Sequence, residues 1–279
     1  MCGAVRSHLE LTRPVNSIAA GVLTLTGGFV AAGLTADTWL LGAAAVATVL
    51  AAGAGNAVND YFDRDIDRIN NPERPIPRGD VSPRGAIILS AVLFATAIGL
   101  AVTLPPVAIL IALLNFLGLV AYTMVFKGRP GAGNALVAYL GGSTFLFGAA
   151  AVGRVQDGIV LFALAALSTF SREIIKDIED VAGDRAEGLR TLPIAFGTGT
   201  AFGIAGVSLV IAVLASPIPY LTDLFGLPYL GVVAPADMLM LAALVRSRTD
   251  PGRGHRWLKY GMFLAAAAFI VGRMSIVLG

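Results

Sequence analysis

Residues Thr38–Arg68 read TWLLGAAAVATVLAAGAGNAVNDYFDRDIDR. The first 22 of them carry no charge, and then four aspartates fall within eight residues, at Asp60, Asp63, Asp65 and Asp67. About 20 predominantly apolar residues are needed to cross a bilayer as a helix. The stretch therefore predicts a spanning helix that emerges into an unusually acidic end.

The same ruler along the whole chain gives nine candidate spans, at roughly 15–34, 38–58, 85–103, 106–125, 134–152, 158–175, 196–215, 228–245 and 257–278. The composition agrees. Of 279 residues, 56% are hydrophobic and 14% are charged, against about 25% charge in a soluble domain. Mean hydropathy is +0.79. A disordered chain, a collagen and a solvated coiled coil are excluded. The single cysteine, Cys2, excludes a disulfide framework, and two histidines make a His-based zinc site an unsuitable reading. No cleavable signal peptide is expected in MCGAVRSHLELTRP. The predicted fold is all-α, a polytopic bundle of nine transmembrane helices. The eighth span is the weakest, because Pro228 and Pro235 interrupt it and Asp237 lies inside it. Asp237 is expected to cap a short helix at the outer interface.

Basic residues set the expected orientation. The N-terminus and the 2–3, 4–5, 6–7 and 8–9 loops hold 18 of the 20 Lys and Arg, leaving Arg154 and Arg273 for the other side. This places the N-terminus in the cytoplasm and the C-terminus outside, in a cell-membrane protein.

Twelve of the 18 acids lie in two windows, residues 60–80 and 173–187. Aligned at an offset of 117, Asp60 meets Asp177, Asp63 meets Asp180, Asp67 meets Asp184 and Arg68 meets Arg185. The match predicts a duplicated four-helix unit, about 1–125 and 126–245, with a ninth helix added at about 257–278. Repeat interfaces in membrane proteins are favoured places for a site. Spacings of three and four predict that each trio shares one helical face. Asp65 and Glu179 leave that face, and Glu73 and Asp80 lie in the loop, so these four are read as ordinary surface acids.

Three carboxylates on one face repel each other, and two facing trios repel more. Divalent cations between them resolve the conflict, and all-oxygen donors suit Mg²⁺, Mn²⁺ or Ca²⁺. Mg²⁺ commonly bridges a few carboxylates to phosphate oxygens. A phosphorylated substrate is thus predicted, with two trios suggesting a diphosphate, and nearby arginines to neutralise it. A solvated helix cap explains one such window; two with matched spacing favour the metal–phosphate site. A transporter with an acidic cation site is the rival class, but it would place its acids near mid-membrane with both faces accessible.

Asn59-Asp60-x-x-Asp63-x-x-x-Asp67 in the 2–3 loop, with Asp177-x-x-Asp180-x-x-x-Asp184 in the 6–7 loop, resembles the UbiA superfamily of intramembrane prenyltransferases. The resemblance covers nearly the whole chain, as a single domain over 1–279. It implies a helical bundle around a cavity open sideways to lipid. It also implies two Mg²⁺ ions holding a polyprenyl diphosphate on the six aspartates, with Asp63, Asp67, Asp180 and Asp184 central to catalysis. An acceptor then traps the allylic carbocation. Further residues fit the pattern as diphosphate or substrate contacts: Asn16, Asn59, Arg68, Arg74, Arg78, Tyr122, Lys127, Lys176 and Arg185. Residues 172–185 look most like the branch that adds a second geranylgeranyl chain to geranylgeranylglyceryl phosphate in archaeal lipid synthesis. The homogentisate and chlorophyll branches share parts of that window and remain rivals. The implied partners are a polyprenyl diphosphate, a lipid-like phosphorylated acceptor and the bilayer. Nucleic acid is not expected, and the oligomeric state is left open.

Overall fold

The computed structural model describes residues 2–278, so the two end residues of the expected domain lie outside it. Thirteen α-helices follow in order. They are α1 (Cys2–Leu11), α2 (Pro14–Ala32), α3 (Thr38–Phe62), α4 (Arg64–Asn70), α5 (Pro83–Ala101), α6 (Pro106–Ala121) and α7 (Ala132–Ala151). The second half has α8 (Ile159–Ala186), α9 (Leu192–Phe196), α10 (Thr198–Ala215), α11 (Ile218–Leu221), α12 (Pro228–Arg246) and α13 (Pro251–Val277). Among the described residues there is no strand, and nine helical stretches are long and apolar enough to cross a membrane.

Start signals recur. Ser82 accepts from the Gly85 amide ahead of α5, Asp37 accepts from the Trp39 and Leu40 amides ahead of α3, and Pro stands in the first turn of α2, α5, α6, α12 and α13. A side-chain acceptor satisfies amides that have no intrahelical partner, and Pro has no amide to satisfy there.

Small residues let the helices approach. A Cβ on Gly148 of α7 would lie 1.9 Å from the Thr24 carbonyl oxygen of α2. One on Gly27 would lie 2.1 Å from the Phe145 carbonyl oxygen. Only hydrogen fits at either point, as in other close-packed membrane helices. Large apolar side chains such as Leu110, Leu113 and Leu117 of α6 remain exposed, which is how a lipid-facing surface reads.

Two expectations are corrected. Asp237 caps nothing. It lies nine residues from each end of α12, which runs uninterrupted through Pro235. It is buried and accepts a hydrogen bond of 2.6 Å from Ser216 Oγ. A buried serine partner, invisible as a neighbour in sequence, satisfies the carboxyl group within the bundle. The first aspartate trio also does not share one helical face. The chain breaks at Asp63, between α3 and α4, so Asp60 and Asp67 sit on different helices. The second trio keeps its predicted spacing on the unbroken α8.

Candidate active site

The first motif is built around an arginine. Arg74 Nη1 donates to Asp67 Oδ2 at 2.5 Å and to Asp60 Oδ1 at 3.3 Å, drawing the two carboxylates together across the helix break. Arg13, just ahead of α2, donates to the same Asp60 oxygen at 2.7 Å. It sits at φ 46°, a left-handed conformation costly for a side-chain-bearing residue. Asp60 and Asp67 are both buried. Such burial is costly for a charge unless it is paired, and these are.

Asp63 turns elsewhere, to Lys127. The reach is set by a π-helical turn over Tyr122–Phe126 at the end of α6, closed by the Lys127 amide donating to the Tyr122 carbonyl at 2.8 Å. Such π segments cluster at functional sites because they re-aim side chains. This one also directs Thr123 Oγ1 to donate to Asn59 Oδ1 at 2.9 Å.

The next residue binds the other motif's loop. The Gly128 carbonyl accepts from the Arg190 amide at 3.0 Å. Gly128 has φ +74°, and a Cβ there would meet Leu189 at 2.7 Å, so this junction requires glycine. The 4–5 loop is therefore a strap, tied to Asp63 by Lys127 and to the 6–7 loop by Gly128. Asp177 receives Asn134 Nδ2 at 2.8 Å from α7. The two acidic windows thus converge on one end of the bundle.

Behind them lies a cavity of about 720 Å³, with walls mostly apolar, from Phe94 and Phe116 to Phe145 and Phe269. Of the residues expected from sequence, Asn16, Asn59 and Lys176 line it. The six motif aspartates do not line it themselves, but their sequence neighbours Asn59, Glu173 and Lys176 and the Asp60 partner Arg13 do. Arg68 points away and pairs with Asp65, with 66% of each side chain exposed. Arg78 binds Asp80 and Glu10 on the surface, and its guanidinium holds the Asp80 carboxyl below the usual carboxylate range. Arg185 is exposed. Arg13 and Asn134 were not among the expected contacts. Each had only a weak signal, an Arg-Pro step and an Asn near the start of a span.

The donor set suits a hard cation. It is carboxylate oxygen throughout, without thiolate, and Mg²⁺ needs only one or two carboxylates per site beside phosphate and water. No three acids close on a cation among the described residues; protein cations hold the first motif's carboxylates instead.

Fold and site together define an all-helical intramembrane protein that presents two acidic motifs at the mouth of an apolar chamber. Residues 20–267 match the UbiA prenyltransferase family, and the chain belongs to it. It is a multi-pass membrane protein. The digeranylgeranylglyceryl phosphate synthase of Halobacterium salinarum is 60% identical over 269 residues, covering 96% of this chain and 98% of that one. The enzyme of the same name from Methanopyrus kandleri is 43% identical, covering 95% and 98%. A solved digeranylgeranylglyceryl phosphate synthase structure is 34% identical, with TM-score 0.84 over 98% of this chain and 99% of that one. A UbiA homologue from Archaeoglobus fulgidus, solved with GPP and Mg²⁺, shares the fold at 18% identity, with TM-score 0.73 over 95% of this chain and 98% of that one.

Proposed function

We propose that this protein transfers a geranylgeranyl group from geranylgeranyl diphosphate to the free hydroxyl of geranylgeranylglyceryl phosphate, in archaeal membrane ether-lipid synthesis. The observation that carries the proposal is the strap. A single turn, Tyr122–Gly128, ties both acidic motifs over the mouth of one apolar cavity. The relatives named above, which share the whole length of the chain, favour this acceptor over an aromatic or chlorin one.

The six motif aspartates would hold Mg²⁺, which supplies positive charge to the departing diphosphate. Arg13, Arg74 and Lys127 add preorganised positive charge on the first-motif side, where negative charge develops as the allylic C–O bond breaks. The electron pair leaves with the diphosphate oxygen. The apolar chamber takes the prenyl tail and keeps water from the allylic cation. Asn59, fixed by Thr123, and Asn134, on Asp177, each anchor one motif to a neighbouring segment. The acceptor hydroxyl then forms the new C–O ether bond and gives up its proton. We place this mouth and the N-terminus in the cytoplasm, from the distribution of basic residues. We take residues 1–125 and 126–245 as two copies of one unit.

Product analysis tests the proposal. Purified protein supplied with Mg²⁺, geranylgeranyl diphosphate and a panel of acceptors should yield digeranylgeranylglyceryl phosphate. Prenylation of an aromatic acceptor alone would refute it.

A further inference from the structure

The cavity has a second set of cations, away from the first motif. Arg172 and Lys176 stand one turn apart on α8, and His255 and Lys259 one turn apart on α13, the helix packed beside it. All four line the cavity wall. Arg172 lies eight residues inward from Asp180 on the continuous α8, about 12 Å at 1.5 Å per residue. Lys259 lies one turn further inward than His255, which meets Glu179 at the level of the second motif. Ionisable side chains within spanning helices are costly, and those facing an internal cavity mark substrate paths.

Their pairing leaves charge to spare. Arg172 is paired with Glu173. His255 Nδ1 lies 2.6 Å from a Glu179 oxygen, without hydrogen-bond angles. Lys176 and Lys259 make no ion pair among the described residues, and Lys259 Nζ lies 5.8 Å from the Phe263 ring centre.

We propose that Arg172, Lys176, His255 and Lys259 form a phosphate site on the α8–α13 wall that holds the phosphate monoester of the acceptor lipid, distinct from the diphosphate site at the mouth. The proposal rests on the function proposed above. The donor's diphosphate would be held between the two aspartate motifs, with Arg13, Arg74 and Lys127 supplying charge from the first-motif side. Arg172, about two turns inward from Asp180 on α8, stands clear of a group held on that carboxylate. A phosphorylated acceptor needs its own counter-charge inside the same chamber. A wall of two helices, each giving two cations one turn apart, meets a dianion from both sides.

The test uses the whole protein in detergent with Mg²⁺ and geranylgeranyl diphosphate. Two acceptors are compared, geranylgeranylglyceryl phosphate and the phosphate-free geranylgeranylglycerol. Arg172→Gln and Lys259→Gln should each raise KM for the phosphorylated acceptor about 10-fold or more, the effect of losing a charge-assisted hydrogen bond. KM for geranylgeranyl diphosphate should stay within about twofold, and the preference for the phosphorylated acceptor should fall by the same factor. Lys259→Arg should retain that preference. Glu173→Gln, which releases Arg172, should lower the acceptor KM, a gain that keeps the proposal testable should the cation variants fail to fold. A rise in donor KM with unchanged phosphate preference would overturn the proposal, assigning these cations to the diphosphate. Wild-type turnover with neither glycerol lipid would instead overturn the proposed function, and this site with it.

Discussion

Arg74 is the point at which the first motif is most sensitive. It bridges Asp60 and Asp67, whose side chains are 5% and 4% exposed, while its own is 29% exposed. Removing one partner of a fully buried ion pair costs about 3–5 kcal/mol, and an exposed pair is worth at most about 1 kcal/mol. With one end buried and the other part-solvated, Arg74→Gln should cost about 2 kcal/mol. For a chain of this length that lowers Tm by roughly 4–8 °C. Arg13 still serves Asp60, so the loss falls chiefly on Asp67, which keeps Asn71 Nδ2 at 3.0 Å. Neutralising Asp67 as well should therefore recover most of the loss, with a coupling within the range of about 0.5–3 kcal/mol seen for contacting residues. Thermal unfolding in detergent without divalent cation, on wild type, Arg74→Gln, Asp67→Asn and the double variant, measures this cycle. Mg²⁺ should then stabilise Arg74→Gln more than wild type, because a bound cation restores the missing positive charge. Additive losses in the cycle, with equal Mg²⁺ shifts in both proteins, would refute the pairing argument.

Three further outcomes are expected. Asp63→Ala and Asp180→Ala should each reduce kcat by at least about 10²–10³-fold in protein that still elutes as a folded species. Asp65→Ala, whose side chain is 66% exposed and pairs with Arg64 and Arg68 on the surface, should keep a kcat near wild type. Chelation with EDTA should abolish turnover and added Mg²⁺ should restore it; full activity after exhaustive chelation would sink the metal assignment. With Cys2 replaced, cysteines at positions 80 and 187 should resist an impermeant maleimide in intact cells while one at 157 or 223 reacts. Opposite labelling of 80 and 187 would contradict a shared mouth, since roughly 30 Å of hydrocarbon would separate the motifs.

The windows that carry the chemistry were legible because charge in a 14%-charged chain is conspicuous. Asp177, Asp180 and Asp184 lie on one helix, so their spacing alone determines their shared face. The first trio misled because that rule holds only along an unbroken helix, and α3 stops at Phe62. A break of one residue has no compositional mark here, with neither Gly nor Pro at Asp63. Asp237 misled for a related reason: Pro235 signals a helix start by propensity, and tertiary packing overrides it.

The amino-acid order by itself determined the class, a nine-span bundle with two matched acidic ends, because apolar length and charge distribution are local quantities that the bilayer reads residue by residue. Which cation serves which carboxylate was decided only by the tertiary structure. Arg13 reaches Asp60 across 47 residues and Lys127 reaches Asp63 across 64. Asn134 meets Asp177, and α8 meets α13 so that Arg172 and Lys259 line one cavity. Such pairs depend on where a π turn, a glycine junction and close helix crossings bring distant segments, and no local pattern encodes those distances.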